Sequence, residues 1–258
     1  MYRTLHPDKI AETLATLEQR IRERFPDASL TRVAAEVTGL ARQAHTRCTA
    51  LARPNYGLRL LSAAVMALGI CAIALLGYSA STMRDLQAST EVFGMMQGID
   101  AGLNMLIVVG GALFFLVTLE TRIKRRAALR HLHELRSIVH VVDMHQLTKD
   151  PSILIGEAHD TPHSPKRTMT PFELTRYLDY CSELLSLTAK IAALYAQSST
   201  DPQVIDVVND VERLTSNLSA KIWQKITLVE ASSRSLVAPV KPNGPLQSPS
   251  PPAPARTP

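Results

Sequence analysis

The chain has 258 residues, 46% hydrophobic, 20% charged and 5% aromatic, with a formal net charge of +5 and a pI near 9.2. That length allows one or two ordinary domains, and the three scattered cysteines exclude a disulfide framework or a cysteine-rich zinc site. The basic excess does not point to nucleic acid, because no basic stretch is interleaved with aromatics.

Residues 1–59 are polar and charged and predict a cytoplasmic helical segment of two helices. Ile10, Leu14, Leu17 and Ile21 repeat at helical spacing, and Pro26-Asp27 breaks the run. Ser29 is placed to cap a second helix whose stripe is Leu30, Val33, Val37, Leu40, Ala44, Cys48 and Leu51. Such a polar start reads as no cleavable signal peptide, so the apolar run that follows is expected to act as an uncleaved anchor.

Residues 60–120 carry the strongest signal. No charged residue lies between Leu60 and Met83, and none between Ala101 and Leu119. About 20 mainly apolar residues cross a hydrocarbon core as a helix, so spans are expected at about 60–80 and 101–120. Leu60–Tyr78 holds eight Leu, Ile or Val residues and Leu103–Leu119 eleven Leu, Ile, Val or Phe residues. These favour insertion by roughly −2 to −7 kcal/mol per segment.

The flanks predict orientation. Arg42, Arg47, Arg53 and Arg59 precede the first span, and Arg122, Lys124, Arg125, Arg126 and Arg130 follow the second. The connector from Ser79 to Asp100 carries only Arg84 against Asp85, Glu91 and Asp100. Positive charge is retained on the cytoplasmic side, which places both termini in the cytoplasm and the loop outside an inner membrane. The same Arg and Lys residues are expected to meet anionic lipid head groups. Within the bilayer, the small residues Ala63, Ala67 and Cys71 in span one, and Gly98 and Gly102 entering span two, are expected to pack helix on helix.

From 121 to 150 the second span is expected to continue as a cytoplasmic stalk helix, since no Gly or Pro interrupts it after Ala112 until Pro151. Leu129, Leu132, Leu135, Val139 and Val142 share one face. Residues 151–169 read as a linker. Over 170–231 two helices form a coiled-coil-like hairpin. Thr170-Pro171-Phe172-Glu173 supplies a capping box with proline at the first helical position, and Asp201-Pro202 starts the second helix. Their stripes run Leu174, Tyr177, Leu178, Cys181, Leu184, Leu185, Thr188, Ile191, Tyr195 and Val204, Val207, Val208, Val211, Leu214, Leu218, Ile222, Ile226, Val229. The tail, 232–258, is proline-rich and expected to be disordered.

The fold class is therefore all-α: an integral membrane protein with a two-helix transmembrane hairpin and a cytoplasmic helical bundle. The stretch 131–151 carries the residues nearest to chemistry. His131 and Glu134 are three apart, as are His140 and Asp143, but the other histidines diverge around the helix. A metal held by His140 and Asp143 would need ligands from a second helix, and the two C-terminal helices contain no His. No metal, cofactor or catalytic residue is predicted. His140, Asp143, His145, Lys149 and Asp150 instead suit an interaction or pH-sensing cluster where the stalk meets the hairpin.

In architecture this arrangement resembles two-transmembrane bacterial effector proteins, which implies cytoplasmic helices that associate with signalling partners. The expected function is a non-enzymatic, membrane-anchored interaction protein with a scaffold, assembly or regulatory role. Its partners would be the lipid bilayer and a protein or second copy of the chain, not nucleic acid. The alternative is an oligomeric two-span pore or membrane-disrupting effector, for which only Ser62, Asn104 and Thr118 could line a wet path. A further alternative is a metal-dependent enzyme built on the 131–145 stretch.

Overall fold

The computed structural model describes residues 4–84, 91–149, 151, 162–163 and 168–237. Among these there is no strand, and six helices account for nearly all of them: α1 (Pro7–Arg24), α2 (Leu30–Ala52), α3 (Tyr56–Arg84), α4 (Glu91–Leu147), α5 (Pro171–Ser198) and α6 (Pro202–Val237).

Five of them share one core. α1, α2, the second half of α4, α5 and α6 bury a single cluster running from Ile10 to Val229. This settles how the two ends of the sequence relate. The N-terminal pair packs directly on α5, with Leu5 donating its backbone N–H to Gln197 Oε1 at 2.9 Å and Arg20 pairing with Glu183 at 3.4 Å.

α5 is the central helix. Besides the expected stripe it buries Tyr180, Leu187, Ala192 and Leu194, because α1, α2, α4 and α6 all pack on it. A helix apolar around most of its circumference belongs inside a bundle. Its start follows the capping box: Thr170 Oγ1 accepts from the Glu173 N–H, and the Glu173 carboxylate accepts from the Thr170 N–H at 2.8 Å.

The second half of α4 continues the second apolar run without a break and is covered: Ala128, Leu132, Leu135, Ile138, Val139 and Val142 are buried among α2, α5 and α6. Two boundaries differ from expectation. Helix enters the Ser79–Asp100 stretch from both sides: α3 continues to Arg84 and α4 already begins at Glu91. No proline in that stretch stops either helix. α6 likewise outruns the expected end at 231 and reaches Val237. Ser232 and Ser233 donate back to the carbonyls of Leu228 and Val229, so their hydroxyls stay within the helix.

α4 is 57 residues long, or about 85 Å at 1.5 Å per residue, and joins the bundle to the apolar helix pair without a break. Asp150, most of 151–169 and 238–258, for which a linker and a tail are expected, lie outside the described residues.

Candidate functional site

Two regions set what the molecule can do: the apolar pair α3–α4 and the polar contacts at either end of the bundle. Both apolar stretches are long enough to cross a membrane, and their most apolar windows are only 6% and 0% buried. Leu68 is 72% exposed and Val108 70%, with Leu60, Ile70, Leu75, Leu106 and Phe114 similarly uncovered. A core helix of a water-soluble fold would bury these side chains, each of which gains about 1.5–3 kcal/mol by leaving water.

The two helices run antiparallel and touch along a narrow seam. On α3 it comprises Leu58, Ser62, Val65, Gly69 and Ala72, and on α4 Met105, Val109, Leu113, Leu116 and Glu120, the positions at which exposure falls. Gly69 is a point of close approach: a Cβ there would lie 2.7 Å from Val109 Cγ1. The small residues singled out from the sequence lie off this seam: Ala63, Ala67 and Cys71 are exposed on the opposite face of α3, and a Cβ on Gly98 or Gly102 would meet nothing within 4 Å. Spacing alone cannot choose between two small-residue faces of one helix. The small faces are separated by half a turn, and Gly69 lies on the one that packs.

Of the three polar groups that might line a pore, two hydroxyls are already satisfied within their own helices. Ser62 Oγ donates to the Arg59 carbonyl at 2.8 Å, and Thr118 Oγ1 to the Phe114 carbonyl at 2.8 Å. Asn104 is exposed on α4.

Where the apolar pair meets the bundle, Glu120 forms a junction. Its carboxylate accepts from the Asn55 N–H at 3.0 Å and faces Lys124 at 2.9 Å and Arg59 at 3.6 Å. Lys124 also donates to the Arg53 carbonyl at 2.7 Å, bracing the turn between α2 and α3. One turn deeper, Arg125 Nε donates to the largely buried Asp201 at 2.6 Å, and Asp201 Oδ1 accepts from the Gln203 N–H. The carboxylate that starts α6 is thereby tied to α4.

A second network crosses the bundle at His131. Arg47 donates to Glu134 at 2.8 Å and also reaches the Tyr195 hydroxyl; His131 faces Glu134 at 3.4 Å. Burial would raise the Glu134 carboxyl, but the Arg47 hydrogen bond, reinforced by His131, prevails and holds it below its usual value. Burial also pushes the Tyr195 phenol up to about 12, against the opposing effect of Arg47.

At the far end of the bundle the structure divides the predicted cluster. His140 is exposed and apart from Asp143, which accepts from Gln146 Nε2 at 2.6 Å. His145 bridges helices: Nδ1 meets the Val141 carbonyl at 2.8 Å and Nε2 the Ser29 hydroxyl at 2.8 Å. Ser29 is thus no side-chain cap for α2, its hydroxyl having turned to α4. Lys149 sits 5.1 Å over the Tyr177 ring. Sequence reading missed Gln146, which is only 2% exposed and whose Oε1 and carbonyl both accept from Lys225 of α6, at 2.7 and 2.8 Å. It also missed Phe25, buried edge-on against Tyr177 and Tyr180 from the turn between α1 and α2. Gln146 had one detectable signal: it continues the Leu135, Val139 and Val142 stripe by one more turn.

Among the described residues no three His, Cys, Asp or Glu side chains converge as metal ligands. Comparison with known families, curated proteins and solved structures returned no match for this chain.

Proposed function

We propose that this chain is a non-enzymatic, membrane-anchored interaction protein, in which α3 and α4 span the cytoplasmic membrane and the five-helix bundle works at its cytoplasmic face. One observation carries the reading: a continuous helix, α4, joins a well-packed bundle to a helix pair whose apolar side chains are left uncovered. Lipid is the solvent in which that exposure is favourable. The Arg and Lys residues flanking both apolar stretches support a reading with the bundle and both termini on the cytoplasmic side.

The polar side chains support an interaction role over chemistry. His131, Asp143 and His145 are engaged in hydrogen bonds or ion pairs that hold helix to helix or brace one turn of α4, and His140 faces solvent alone. Meanwhile Met144, Leu147, Phe172 and Trp223 are exposed at the end of the bundle remote from the apolar pair. Exposed large apolar side chains at that end are where contact with a partner protein is proposed.

The test is fractionation with mapping. The full chain should remain in the pellet after alkaline carbonate washing, tags at either terminus should be digested only once the cytoplasmic face is opened, and crosslinkers at Trp223 should capture a protein in intact membranes. A dispersed chain in the carbonate supernatant sinks the anchor; steady single-channel conductance in planar bilayers would favour the pore instead.

A further inference from the structure

A cleft of about 700 Å³ opens where the apolar pair enters the bundle, between α3, α4 and the turn that joins α5 to α6. Its lining mixes two chemistries. On α4, Leu116 and Val117 lie toward the apolar run and Lys124 and Arg125 toward the bundle; α3 contributes Leu58 and Arg59 side by side, with the hydroxyl-bearing turn Ser198–Thr200 as a further wall.

We infer that this cleft binds one anionic phospholipid, its phosphate among Arg59, Lys124 and Arg125 and the start of an acyl chain along Leu58, Leu116 and Val117. The inference rests on the membrane reading, since it requires the cleft to lie at head-group depth.

Charge decides for an anion. Three cations face two carboxylates, because Glu120 is shared between Arg59 and Lys124 and Asp201 serves Arg125. One positive charge is left over, and Arg59, 3.6 Å from its carboxylate, is the most weakly held of the three. Arg125 meets Asp201 through Nε, which leaves the donors of its two terminal nitrogens for another acceptor. A guanidinium offers donors in the fork geometry that suits phosphate oxygens. A zwitterionic head group would bring its own cation and leave the excess charge unbalanced.

The side chains around the cleft also explain why a lipid suits it better than a free anion. Phosphate alone would meet the basic side chains and leave the space beside Leu58, Leu116 and Val117 without an apolar occupant. Basic pockets between helices on the cytoplasmic side are the places where acidic head groups are held individually.

The experiment uses full-length protein purified in phospholipid-free detergent, with native mass spectrometry and thermal unfolding as readouts. Phosphatidylglycerol, phosphatidylcholine and inorganic phosphate are added separately. Phosphatidylglycerol should be retained and should raise the unfolding temperature, and phosphatidylcholine should do neither. Arg59→Gln should weaken retention about fivefold, the effect of one cation at an acidic lipid surface. Thr121→Trp, at an exposed position of the cleft wall, should block it while leaving the helix content unchanged. Arg126→Gln, exposed and outside the cleft, should have little effect.

Equal losses in Arg59→Gln and Arg126→Gln would mean diffuse surface attraction and overturn the site. Equal stabilisation by inorganic phosphate would replace the lipid with a free anion and overturn it too, as would equal retention of both lipids. Each of these failures leaves the protein in the carbonate-washed pellet, so it is distinguishable from failure of the membrane reading.

Discussion

The apolar pair and the bundle are built from the same residue types and treat them in opposite ways. In the bundle Leu132, Leu184 and Ile222 are sealed from solvent; in the pair Leu68, Leu106 and Phe114 face outward. The contacts differ as well. Bundle helices are joined by charged and hydrogen-bonded groups, such as Arg47–Glu134, Arg125–Asp201 and Lys225–Gln146. The described part of the pair away from the Glu120 junction relies on close backbone approach at Gly69. In water, burial of side chains drives helices together; in hydrocarbon that drive vanishes and small residues that allow close packing take over. On the proposed membrane reading, one chain carries the rules of two solvents, and α4 passes from one to the other.

The sharpest way to break this comparison is to put charge on the exposed face of the pair. Leu68→Arg with Val108→Arg should oppose insertion by about 5–7 kcal/mol together. Carbonate-resistant protein should then fall steeply or disappear. If the pair faced water, the same surface changes would stay within about 0.5 kcal/mol of neutral and leave the protein where it was. Leu184→Ala tests the other half. Emptying that fully buried site should cost the bundle about 2–5 kcal/mol, seen as a lower unfolding temperature in detergent, with membrane retention unchanged.

A third substitution sharpens the account of how the pair holds together. Gly69→Leu forces side-chain atoms into Val109 and should cost about 1–3 kcal/mol by overpacking, parting spin labels placed at 65 and 113. Gly102→Leu meets open space and should leave those labels where they are. An equal response from both would mean that the seam does not depend on Gly69.

Much of this organisation is legible in the sequence, and what is not has identifiable causes. Helix-period stripes found α1, α2, α5 and α6, and the capping box at Thr170 fixed the start of α5 to the residue. The two uncharged runs found the pair. Tertiary partners were invisible to periodicity. Nothing in 121–150 says that its stripe is covered by α2, α5 and α6, and nothing in Phe25 says that a turn residue stacks on Tyr177. The polar contacts at the bundle ends were half legible: His145 was singled out, yet its partner Ser29 had a more local use as a cap. Long-range pairs such as Arg125–Asp201 join residues 76 apart and leave no mark in either local sequence.

The effect that is smallest at neutral pH is one of ionisation, and it belongs to the bundle. Burial pushes the Cys181 thiol up to about 12, with Lys149 and Lys225 pulling weakly the other way, and raises the Tyr177 phenol as well. In the unfolded chain a thiol ionises near 9 and a phenol near 10, so above those values the unfolded state sheds protons that the folded state keeps. A raised folded value means stability that is complete below the unfolded one and lost as pH climbs toward the folded one. The unfolding temperature should therefore be flat from pH 7 to about 8.5 and decline from pH 9 toward 12. Cys181→Ala, which removes the most deeply buried of these groups, should flatten that decline while lowering the neutral-pH value only by the lost sulfur contact. A decline of unchanged steepness in this variant would place the alkaline sensitivity elsewhere, and would mean that the sealed interior around α5 opens to solvent more readily than the packing of Cys181 implies.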